Sequence, residues 1–311
     1  MRKADSEQKM TGMSKILLIP VDFSDMSLVA CRAGFEFAVR LDLHPHLLHA
    51  SPSPFFAGVQ PEPTADPAAD DLEVEELSDE VVVDKTLHKE AIRRSEKFRK
   101  KIVGLQQEGK LPDIPFSISV REGVPEEVIL DYARQTPPGL IVMANRGKRK
   151  RELDMIGSVT AEVMDSCRVP LFTVPENYTF CGVENIVRLA FFCNVDDNDL
   201  LTVDALMQMF GHPKVQVWLI PVNDRAGHDV KLRMEAMRSF LDRTYPESVF
   251  HVSVLPQKDL RSRFESLVSE HDLQLTIVPN KKKNILSRLF NPGIAHKLLF
   301  ERDMPMLVLP V

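Results

Sequence analysis

The chain has no continuous apolar stretch long enough to cross a bilayer, and residues 1–14 are polar, without the apolar core of a secretory signal. Those two absences set the expectation of a soluble, cytoplasmic protein with a flexible tail over 1–14. Cysteine is scarce: the four, Cys31, Cys167, Cys181 and Cys193, show no CxxC spacing and sit mostly among apolar neighbours, which points to buried free thiols. Positive charge is not in excess, since 39 Lys and Arg face 45 Asp and Glu for a formal net charge of −6. That balance argues against a general nucleic-acid binder but leaves room for a small anion at a local basic loop. Neither GxxxxGK[ST], GxSxG nor HExxH occurs, so dedicated catalytic machinery has no support.

What is present is enough apolar residue, 44% of 311, to build two cores, together with an internal repeat. Leu140 to Pro175 aligns without a gap on Leu275 to Pro310: Asn145 meets Asn280, Pro170 meets Pro305, Pro175 meets Pro310, and Val142, Val159, Val163, Phe172 and Val174 meet apolar partners. The division expected is a first domain over 15–176, a linker over 177–184 and a second domain over 185–311. Residues 52–77, rich in Pro, Ala and acid and free of Lys and Arg, read as a surface insertion in the first.

Periodicity predicts strands at Ile16–Ile19, Leu47–Ala50, Phe116–Val120, Leu140–Met143 and Leu171–Val174. Between them it predicts helices over 27–41, 79–107 and 125–135 and one opening at Ser158. The second half repeats this with strands near Leu189–Cys193, Val215–Ile220, Val249–Leu255, Leu275–Val278 and Met306–Val311, and its helices include one over 294–301. Strands alternating with helices mean α/β architecture: two tandem doubly wound domains, each with a five-stranded parallel sheet. The fifth strand of each half would be a sheet edge, inviting the two halves to pair.

One stretch carries chemistry. The strand ending at Met143 runs into Ala144-Asn145-Arg146-Gly147, and after nine further residues Gly157-Ser158 opens a helix with Val159 and Thr160. A strand end, a glycine-bearing loop and a helix start gather unpaired N–H groups and the positive end of the helix dipole, which suits a phosphate. An ordinary glycine C-cap and serine N-cap would give the same letters. The basic run Arg146 to Arg151 lies in this loop, and Lys281 to Lys283 partly echoes it. His44, His46 and His49 read as a cluster at a helix-to-strand junction with a capping or surface role, since no further ligand stands at metal spacing.

These residues resemble the universal stress protein family, in its tandem two-domain form. Its signature, a glycine, two residues, a glycine, nine residues and a glycine with serine or threonine, falls on Ala144, Gly147, Gly157 and Ser158, so the first glycine is replaced. Ile19-Pro20-Val21-Asp22-Phe23-Ser24 resembles the family's first strand end. The resemblance implies that Pro20, Val21 and Asp22 meet the adenine and ribose and that the backbone of Ala50 touches the base. Met143, Ala144, Arg146, Gly147, Gly157, Ser158, Val159 and Thr160 would surround the phosphates. The alternative for Asp22 is an N-terminal cap or Asx-turn, and Ser24 or Asp25 could cap the helix equally well. The implied ligand is ATP or another adenine nucleotide, with Mg²⁺ on the phosphates. In the second half Lys282 replaces Gly147 and Pro292 replaces Gly157, so a single nucleotide per chain is expected, and the counterpart of Asp22 falls somewhere in 194–196. The function implied is a stress-response sensor or regulator. A non-binding interaction protein of the same fold and a slow ATP hydrolase are the alternatives, and protein partners, including a homodimer, are left open.

Overall fold

The computed structural model describes residues 14–51, 77–145, 158–175, 178, 182–211, 214–221, 228–255, 259–280 and 304–310. The tail over 1–13, most of the 52–77 insertion, Arg146, Gly147, Gly157, Cys181, Lys281 to Lys283, Pro292 and the helix expected over 294–301 lie outside them.

In chain order the elements are β1 (Ser14–Pro20), α1 (Asp25–Leu41), β2 (His44–Ser51), α2 (Leu77–Gln107), β3 (Ser117–Glu122), α3 (Pro125–Gln135), β4 (Pro138–Ala144), α4 (Ser158–Ser166) and β5 (Leu171–Val174). A 3₁₀ turn (Val183–Asn185) leads to β6 (Arg188–Cys193), α5 (Asp197–Phe210), β7 (Gln216–Pro221), α6 (His228–Thr244), β8 (Val249–Val252), α7 (Leu260–His271), β9 (Leu275–Asn280) and β10 (Met306–Pro310). Two expectations shift. The eighth strand stops at Val252, short of Leu255, and Leu77 belongs to α2, not to the insertion. Two histidines also move: the strand begins earlier than expected, so His44 and His46 stand within β2 as partly exposed sheet residues and not as caps, while His49, already inside the expected strand, is buried.

All ten strands join one sheet in the order β3-β2-β1-β4-β5-β10-β9-β6-β7-β8. Every pairing is parallel except the central one, where β5 and β10 run antiparallel with Leu307 opposite Phe172. The strands that would be edges within each half therefore satisfy each other's backbone groups.

Alternation along each strand sends residues to opposite faces, and both faces are covered. Leu17, Ile19, Phe37, Phe172, Phe191 and Val203 share one core beneath α1, α2, α5 and α6, while Leu18, Val163, Met164, Phe192, Phe264 and Val308 share the other with α3, α4 and α7. Both cores run across the β5–β10 seam, so the halves share their apolar burial. Phe37 of α1 meets Phe172 of β5 edge-on at 4.7 Å. Helix α1 starts at the Ser24 cap and ends at Asp42, whose φ of 52° closes the last turn. Cys31, Cys167 and Cys193 are buried free thiols, and burial pushes all three up from the ordinary thiol value.

Candidate functional site

In a parallel α/β sheet the ligand crevice lies beyond the carboxyl ends of the strands, where the order reverses. Here that point is between β1 and β4, which pair directly through Leu17 with Leu140 and Leu18 with Ile141. Their carboxyl ends, Pro20-Val21-Asp22 and Met143-Ala144-Asn145, are thus neighbours. Ala50 stands near the end of β2, opposite Arg121 of β3. Ala144 is the last residue of β4, paired with Val174, and it is absent from the positive-φ positions among the described residues. Its strand geometry needs no glycine, so replacing the family's first glycine costs no backbone strain.

Helix α4 brings the remaining contacts back to the same end. Thr160, buried in its first turn, donates its hydroxyl to the Ala144 carbonyl at 3.0 Å, and the Asn145 N–H donates to the Val174 carbonyl at 2.8 Å. Val159 is half-buried beside it. Among the described residues, the Asn145 side-chain oxygen and the Ser51 hydroxyl are buried without a hydrogen-bond partner, at the carboxyl ends of β4 and β2. Buried polar atoms left unpaired are costly.

At the end of β1 the backbone turns sharply, with Phe23 at φ 62°. Asp22 Oδ1 accepts from the Ser24 N–H at 2.9 Å, the Ser24 hydroxyl and the Ser27 hydroxyl at 2.7 Å, while Ser27 Oγ accepts from the Asp22 N–H at 3.0 Å. Asp22 sits at the strand end, and one of its carboxylate oxygens forms the Asx-turn that starts α1. Helix α2 adds a layer that local patterns do not announce. Arg94 donates to the Asp22 carbonyl at 3.0 Å and lies 5.2 Å over the Phe23 ring. His49 donates through Nδ1 to the Val21 carbonyl at 2.7 Å and packs on Phe23 at 4.1 Å. Burial holds His49 below the ordinary imidazole value, the Val21 carbonyl opposes that, and Arg94 reinforces it. Of these, His49 could have been read from its alternation with Leu47; Arg94, far along the chain, carries no local signal.

The second half now shows where its equivalent lies. Val195 has the same φ of 62° as Phe23, and Leu189 pairs with Leu275 as Leu17 pairs with Leu140. Asn194 therefore occupies the place of Asp22, Asp196 that of Ser24 and Asp199 that of Ser27. The carboxylate has moved from the strand end to the helix. Asp199 is wholly buried and accepts from the Asn194 N–H at 3.2 Å and the Asp196 N–H at 3.0 Å. Burial raises its pKa to about 6 against the opposing pull of backbone N–H groups. An uncharged amide stands at the strand end, and its Nδ2 is buried without a partner.

The first histidines of β2 make a separate polar cluster at the amino end of that strand, away from the carboxyl-end crevice. His46 bridges the hydroxyls of Ser117 and Ser119 at 2.8 Å each and stacks on Tyr132 at 4.9 Å, while His44 reaches Ser117 at 3.0 Å. Among the described residues no cluster of three or more metal-binding side chains occurs, and no helix is long and apolar enough to cross a membrane.

Comparisons with known proteins agree with this architecture. A universal stress protein of Methanocaldococcus jannaschii is 24% identical over 163 residues, which is 52% of this chain and 83% of that protein. The crystal structure of a universal stress protein from Archaeoglobus fulgidus superposes with a TM-score of 0.61 at 13% identity, covering 96% of this chain and 98% of that one. A putative universal stress protein from Pseudomonas aeruginosa gives 0.56 at 14% identity over 96% and 93%. The fold is thus shared along nearly the whole chain. The family model described as the universal stress protein family matches residues 13–175, more than half of the 311, and the chain belongs to that family.

Proposed function

We propose that the chain is an adenine-nucleotide sensor or regulator of stress responses, built as tandem domains over 15–176 and 185–311 joined by 177–184, with the ligand in the first domain only. The observation that carries the proposal is the juxtaposition at the β1–β4 switch point: Asp22 at one strand end, and at the other Ala144 in strand conformation, tied by Thr160 to the first turn of α4. Asp22 and the ends of β1 and β2, with Pro20, Val21 and Ala50, would meet the nucleoside. Met143, Ala144, Arg146, Gly147, Gly157, Ser158, Val159 and Thr160 would hold the phosphates, and Mg²⁺ would sit on the phosphate oxygens. The unpartnered Asn145 oxygen and Ser51 hydroxyl are consistent with a polar ligand at this end. In the second domain the carboxylate has withdrawn to Asp199, which adds a reason for single occupancy to Lys282 and Pro292.

Occupancy would act by changing domain packing or partner choice. Titration calorimetry with ATP, AMP and GTP tests it: heat at one site per chain with an adenine nucleotide is expected, and none up to millimolar concentration removes the proposal. A second reading, an interaction protein that has lost its ligand, draws support from the engagement of Asp22 Oδ1 and of the Val21 and Asp22 carbonyls within the protein. Gly157→Val separates the two: the sensor loses nucleotide binding with little change in melting temperature, whereas the interaction protein changes only in stability.

A further inference from the structure

Helix α4 has nine residues, too few to hold itself together in water, so its ends decide whether it stands. Its first turn is tied to β4 of its own half by Thr160. Its carboxyl end exposes carbonyls that have no partner within the helix. Asn280, the last residue of β9, supplies them from the other half: Nδ2 donates to the Met164 carbonyl at 3.1 Å and to the Cys167 carbonyl at 3.2 Å. A primary amide nitrogen has two hydrogens, one for each carbonyl. On the opposite face of the sheet the favour is returned, since Arg40 of α1 donates to the Phe210 carbonyl at the end of α5 at 2.6 Å. Each half caps a helix of the other across the β5–β10 seam.

We infer that Asn280 is a positioning residue for helix α4 of the first half: by capping its carboxyl end it fixes the helix that carries Ser158, Val159 and Thr160 at its amino end. The second half, without a site of its own, thereby becomes a structural determinant of nucleotide affinity in the first. This coupling rests on the nucleotide reading; the capping itself does not.

The two parts are tested together on the full chain. In Asn280→Asp the shape is kept but carboxylate oxygens replace the donors and face the negative end of the helix dipole. In Asn280→Ala the donors are lost without added charge. Amide exchange of residues 164–167 is expected to quicken by on the order of tenfold in the alanine variant and more in the aspartate variant, with β1 and β6 unchanged. Unchanged exchange, uniform acceleration of the whole chain, or a larger effect from alanine than from the isosteric aspartate would overturn the capping role, the last because it would mean packing alone matters. ATP titrated into the same variants should bind several-fold more weakly. If α4 frays while ATP affinity holds, the coupling is wrong; if the unaltered protein binds no adenine nucleotide, the functional proposal fails and the exchange result still judges the cap.

Discussion

Asp199→Asn offers a quantitative check on the carboxylate that moved. In the folded chain burial raises the Asp199 pKa from 3.8 to about 6, so the charged form is penalised on folding. The sign follows directly. Stability from this group is highest below pH 3.8, falls as pH rises towards 6, and is lowest above it, where the full penalty is about 3 kcal/mol at 1.36 kcal/mol per pKa unit. Between pH 5 and pH 7 the penalty grows by about 1 kcal/mol. Urea unfolding followed by circular dichroism at both values, for the unaltered protein and the variant, isolates the residue. Other titrating groups cancel in the difference. The variant's stability relative to the unaltered protein should improve by about that amount from pH 5 to pH 7, offset at both values by a constant loss, because an amide oxygen replaces a carboxylate facing two N–H donors. A pH-independent difference, or one of opposite sign, would refute the claim that burial dominates over the backbone N–H groups at this helix start.

Ser27→Ala should cost about 1 to 3 kcal/mol in the same unfolding assay, because the Asp22 N–H loses its acceptor and the carboxylate one donor. It should also weaken adenine-nucleotide binding in calorimetry, whereas an effect on stability alone would argue that Asp22 serves only the turn. Phe172→Ala empties a fully buried position on the central β5–β10 pairing, and a loss of about 3 to 5 kcal/mol is expected from thermal or urea denaturation. His46 is held down to about 4, first by burial and then by Arg121 and His44. Its stabilising contribution is complete above pH 6.5 and fades as the pH falls towards 4, so His46→Asn should flatten the acid limb of the stability profile over that window.

Most of the elements were legible because they are written in local periodicity: Leu17 and Ile19 against Leu18, or the apolar stripe of α1, depend on neighbours a few residues away. The carboxyl-end position of Asp22 and the strand before Ala144 were legible for the same reason. His44 and His46 were placed at a junction because His44-Pro45-His46 carries a proline that reads as an interruption until β3 supplies Ser117 and Ser119 as partners. The counterpart of Asp22 could not be chosen among residues 194–196 because Asn194 and Asp196, on either side of Val195, satisfy the pattern equally. Only the φ of Val195 and the pairing of Leu189 with Leu275 select Asn194.

By itself, then, the sequence determined the α/β class and the strand ends at the β1–β4 switch point, since each follows from the spacing of apolar residues and glycines along a short stretch of chain. The tertiary structure decided which groups fill that frame. It brought Arg94 onto the Asp22 carbonyl, moved the second half's carboxylate into Asp199, and set Asn280 against the end of α4. The contacts of Arg94 and Asn280 join residues 72 and 116 positions apart, while Asp199 bonds the backbone of its own helix start, and in each case a hydrogen bond depends on distance and angle in space, which no local pattern records.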